Sequence, residues 1–142
     1  MNIKALAAAL ALAAPLSAHA YKLDNMMACD LSVQDFFAPL VQAHAIRTPA
    51  HHIAPTGINV FGKTRDDSLT FYNMTVGWVI GFAEDPLMFQ HTAGTNPPDS
   101  YGFFVQAPLS DVQAVMASIG NIKAILRRAD ANATLVVCQA PT

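Results

Sequence analysis

The sequence predicts an α+β fold: one mostly antiparallel sheet of about five strands, with two helices packed on one face. Three observations predict it. Residues 101–120, YGFFVQAPLSDVQAVMASIG, read as strand, tight turn and helix. Residues 68–83 alternate bulky and small side chains, as strands do. Near the end, Leu135, Val136, Val137 and Cys138 form the β-branched, apolar run of a central strand.

Taken in order, residues 1–20 read as a cleavable secretory leader. Lys4 gives a positive start, an alanine- and leucine-rich run follows, and Ala18-His19-Ala20 offers an A-x-A cleavage site. The apolar run is too short to span a bilayer. The expected location is the periplasm or the exterior, with a single α+β domain over residues 21–142. The whole sequence carries a net charge of −2, and loss of Lys4 makes the remainder more negative. With no basic run, nucleic acid is not an expected partner, and no membrane span is expected.

Residues 21–30 are expected to be an irregular lead-in. Ser32 suits a helix N-cap, and Val33, Phe36, Phe37, Leu40, Val41 and His44 recur near helical spacing. Pro39 sits inside that pattern and costs a helix about 3 kcal/mol. A helix over about 32–45, kinked or split near Phe37, is therefore expected. Residues 48–56 read as a loop containing His51 and His52. Residues 57–62 form a short strand, and 63–67 a polar turn.

Within 68–83 the pattern changes phase. Leu69 and Phe71 are odd-numbered, whereas Val76, Trp78, Ile80 and Phe82 are even-numbered. A regular strand cannot switch faces, so a bulge or a turn is required near Tyr72-Asn73-Met74. Gly77, Val79, Gly81 and Ala83 share the other face, small enough for a helix to approach. Residues 84–100 contain Pro86, Gly94, Pro97 and Pro98 and read as a long irregular connection. In the next unit, Pro108 suits a helix start, Val112, Val115, Met116 and Ile119 form its apolar stripe, and Gly120 ends it. Two strands follow over 123–128 and 134–139, joined by a turn at Asp130-Ala131-Asn132.

The sequence has two cysteines, Cys29 and Cys138. In an oxidising compartment an isolated pair without C-x-x-C spacing is expected to form a disulfide. Its loop would contribute about 4–5 kcal/mol on a chain-entropy estimate.

Chemistry is sparse. There is no G-x-S-x-G elbow and no H-E-x-x-H pair, and the adjacent carboxylates Asp66-Asp67 and Glu84-Asp85 sit at turns. No enzymatic activity, no cofactor and no catalytic or metal residues are expected. His44, His51 and His52 are the alternative, a region for a metal or small molecule. Adjacent histidines in an extended chain point opposite ways, which weakens it.

The leading functional expectation is binding of another protein, as an exported inhibitor or immunity protein against a secreted toxin or cell-wall hydrolase would do. The expected site is the long connection with its flanking strand: Glu84, Asp85, Leu87, Met88, Phe89, His91, Asp99 and Tyr101. Apolar side chains there would anchor in a pocket, and the carboxylates would favour a basic partner. Against this, Leu87, Met88 and Phe89 would equally serve to cover a sheet edge.

Overall fold

The computed structural model describes residues 20–66 and 69–141. The expected leader lies outside them except for Ala20. The elements run β1 (Tyr21–Lys22), α1 (Val33–Gln42), β2 (His52–Ile53), β3 (Asn59–Phe61), β4 (Leu69–Phe71), β5 (Met74–Phe82), β6 (Ser100–Val105), α2 (Leu109–Ser118), β7 (Ile125–Asp130) and β8 (Ala133–Gln139).

The strands form one mixed sheet in the order β1-β4-β5-β6-β8-β7, with β3 also beside β5 and β2 outside β3. The α+β class holds. The sheet has eight strands rather than about five, and β1 pairs with β4 in parallel. The excess comes from short segments. β1 and β2 have two residues each, too few to leave a periodic trace in sequence, and they fall in stretches expected to be irregular.

The phase change of residues 68–83 comes from a turn, and a later bulge reverses it. Tyr72 (φ 46°) and Asn73 (φ 64°) form a two-residue hairpin turn between β4 and β5, with both residues left-handed, as strand twist favours. A bulge then interrupts β5 between Val76 and Val79. Val76, Val79 and Ala83 therefore all enter the main core, while Trp78, Ile80 and Phe82 do not. The expectation that Val76 shares a face with Trp78 is thus corrected: the bulge separates them.

One core lies on a single face of the sheet. Tyr101, Phe103 and Val105 of β6 join Val136 and Cys138 of β8, Val33, Phe36, Phe37 and Leu40 of α1, and Val112 and Met116 of α2. Phe36 stacks on Tyr101 with centroids 4.6 Å apart. Close approach of α1 depends on Gly81, where a Cβ would stand 2.5 Å from the Phe37 ring.

Helix α1 begins as expected, with Ser32 Oγ accepting from Asp35 N at 3.0 Å. It runs unbroken through Pro39, so the helix is not split near Phe37. The carbonyl that loses its helical donor belongs to Asp35, an exposed residue, so the loss falls on the solvent side of the helix. Helix α2 starts after Pro108 and ends before Gly120 (φ 68°). Its buried stripe is Val112 and Met116; Ile119 is exposed.

Cys29 and Cys138 are joined, 109 residues apart in sequence, which ties the segment before α1 to β8. Among the described residues, no helix is long and apolar enough to cross a membrane.

Candidate functional site

The connection from β5 to β6 is irregular, as expected, but its first half is tightly built. Asp85 Oδ1 accepts from Leu87 N at 2.9 Å, and Asp85 O accepts from Phe89 N at 2.9 Å. The resulting turn sends neighbouring side chains in opposite directions. Leu87 stands at the tip, 97% exposed, while Phe89 is 2% exposed. The Phe89 ring meets Phe37 edge-on at 5.2 Å and Phe61 at 5.8 Å.

Asn59 of β3 fixes the other end of the turn. It is fully buried. Its Nδ2 donates to Gln90 O at 2.9 Å and to Gly57 O at 3.3 Å, and its Oδ1 accepts from Gln90 N at 2.8 Å. The amide side chain thus pairs with the loop as a strand backbone would. Held at Phe89 and Gln90, the turn presents Leu87 with little freedom left to lose on binding.

Beside this turn, the flank of α1 opens a groove of about 270 Å³. Gln34, Phe37, Ala38, Val41 and Gln42 line one wall, and Asp85, Met88 and Phe89 the other. Gln34, Ala38, Val41 and Gln42 follow i, i+4, i+7, i+8 spacing, which puts them on one side of the helix. Val41, assigned from sequence to the buried stripe, is 37% exposed. The α1 wall went unpredicted because its signal is weak: a small residue and two glutamines at helical spacing next to a stronger apolar stripe.

The sequence-expected site residues divide by depth. Glu84, Leu87, His91 and Asp99 are exposed, and Asp85 and Met88 are half-buried. His91 leaves the groove and packs on Phe82, with centroids 5.0 Å apart. Phe89 and Tyr101 are core residues, so any part they take in a surface site is as supports from beneath. Tyr101 accepts a hydrogen bond from Leu31 N at 3.2 Å. Burial raises the Tyr101 pKa above its ordinary 10.0; the Leu31 bond pulls it down, and nearby Asp30 pushes it up.

Histidines 44, 51 and 52 do not come together as a trio. Among the described residues, no group of three or more His, Cys, Asp and Glu side chains is placed to hold a metal ion. His44, exposed and with φ 52°, offers its carbonyl to Thr64 Oγ1 at 2.6 Å. His51 and His52 do converge, with Nδ1 atoms 3.0 Å apart. The expectation that they point opposite ways is corrected: His51 lies in a bend just before β2, so the two do not share a regular strand.

The site is therefore a shallow apolar groove with a projecting leucine and an acidic edge at Glu84 and Asp85. Such a surface can grip a side chain or short segment of another molecule. Comparisons of the chain with protein-family models, with curated proteins and with solved structures each found no match.

Proposed function

We propose that the protein works by binding another protein through the turn at Leu87 and the groove beside it. Leu87 carries this reading. A leucine that is 97% exposed at the tip of a turn, on a loop anchored by Phe89 and Asn59, costs water contact and contributes nothing to the fold. It gains when a partner pocket encloses it, as anchoring residues do. Met88 and Val41 widen the apolar patch, and Glu84 and Asp85 favour a basic partner by speeding encounter. The most concrete form is an exported, non-enzymatic inhibitor or immunity protein of the periplasm, which occludes a secreted toxin or cell-wall hydrolase.

The test compares Leu87→Asp with Ile122→Asp, a change at a second highly exposed apolar position, 93% exposed. Both variants should keep the melting temperature of the parent. Partners captured from the periplasm by the parent are identified by mass spectrometry, and affinities are then measured with purified partner. Leu87→Asp should weaken binding by about 2 kcal/mol or more, and Ile122→Asp should leave it unchanged. A partner held equally well by all three proteins ends the reading. A second reading, metal binding, rests on His51 and His52, whose ring nitrogens converge.

A further inference from the structure

We propose that His51 and His52 form a two-nitrogen site for a single Cu(II) ion, held open by Trp78. The site lies on the sheet face away from the helices. His52 of β2 pairs with Val60 of β3, and Val60 pairs with Ile80 of β5. Trp78 stands two residues along β5 from Ile80, on the same face. Its ring lies 5.1 Å from His51 and 6.2 Å from His52.

The two Nδ1 atoms are 3.0 Å apart. Without a metal, one ring carries its proton at Nδ1 and donates to the other. With a metal, both protons sit at Nε2 and both Nδ1 lone pairs face the ion; the shift is tautomeric and needs no redox step. The spacing suits cis ligands. At metal–nitrogen distances of about 2.0 Å, cis donors at right angles stand about 2.8 Å apart and tetrahedral donors about 3.3 Å apart. Both rings are exposed, so the ion can enter and keep water on its remaining positions. Trp78, in ring contact with both histidines, limits the rotamers the pair must give up.

The donor count selects the ion. Zinc sites take three or four protein ligands, and no third His, Cys, Asp or Glu joins this pair among the described residues. Copper(II) binds nitrogen donors more tightly than the other divalent first-row ions and accepts a tetragonal N,O set. Two imidazoles with water on the other positions satisfy it.

The protein carries its own reporter, because Trp78 is its single tryptophan and a paramagnetic ion beside it quenches fluorescence. Titration of the purified protein with copper(II) chloride in a non-coordinating buffer should quench Trp78 to saturation at one equivalent. The electron paramagnetic resonance spectrum should show coupling to imidazole nitrogens. Either His51→Ala or His52→Ala should lower the affinity at least tenfold, and the double variant should abolish saturable quenching. His44→Ala and His91→Ala should leave the curve unchanged, and zinc should compete at least tenfold less well. Quenching that persists in the double variant, or that disappears with His44→Ala, overturns the proposal. Unchanged circular dichroism in each variant separates loss of the site from loss of the fold.

Discussion

Replacing Asn59 with aspartate tests how the Leu87 turn is held. The change is nearly isosteric, so the cavity stays filled and only hydrogen bonding changes. Oδ1 can still accept from Gln90 N, but the two donations from Nδ2, to Gln90 O and Gly57 O, are lost. Each carbonyl then faces a carboxylate oxygen in a site with no solvent exposure at residue 59. An unmet buried partner costs about 1–3 kcal/mol, so the pair should cost about 3–5 kcal/mol at neutral pH. In a domain of this size that is a drop of about 10–20 °C in melting temperature. The pH dependence adds a sign. Burial raises the pKa of the new carboxyl above its unfolded value of about 3.9. The folded state then binds more protons than the unfolded state, and stability falls as pH rises. The deficit relative to the parent should therefore narrow on acidification and be smallest below about pH 4, where a neutral acid can donate again. Urea denaturation at several pH values measures this. A deficit below about 1 kcal/mol at neutral pH, or one that grows on acidification, refutes the assignment of Asn59 as the pin.

Two further outcomes follow from the core. Reduction of Cys29–Cys138 opens a loop spanning 109 residues and should cost about 4–5 kcal/mol; coincident urea curves with and without reductant would contradict this. Tyr101 should ionise only above its ordinary 10.0, because burial disfavours the phenolate. Its contribution is full below pH 10.0 and lost as pH rises through the folded value, so Tyr101→Phe should remove a step above pH 10.0 from the near-ultraviolet alkaline titration.

Much of this fold is legible in the sequence because its signals are local. Ser32, Pro108 and Gly120 mark helix ends by backbone chemistry that each residue carries itself. The Tyr101, Phe103, Val105 alternation gives β6 its register without knowledge of its neighbours. The disulfide follows from there being no other cysteine to choose. The failures are equally specific. The strands at Tyr21–Lys22 and His52–Ile53 exist because β4 and β3 lie beside them, and two residues cannot encode a neighbour. The phase change from Phe71 to Val76 is visible and the turn produces it, but the bulge then reverses it, so Val79 rather than Trp78 continues the face of Val76. At the candidate site, the loop was legible from its prolines and glycine. The opposite fates of Leu87 and Phe89 were not, since both are apolar and the Asp85 turn that separates them is a three-dimensional contact. The groove's second wall depends on the angle of α1 to the sheet, which no helical spacing specifies.

The place of β8 in the sheet has a consequence for how the chain must be made. β8 is the last strand among the described residues, yet it sits between β6 and β7 and contributes Val136 and Cys138 to the core. A growing chain that ends before residue 133 has no partner for the inner edge of β6 and no thiol for Cys29. Closure of the core and of the disulfide therefore waits on residues 133–139, a long-range pairing that sets in only after the segments from β1 to β7 have been made.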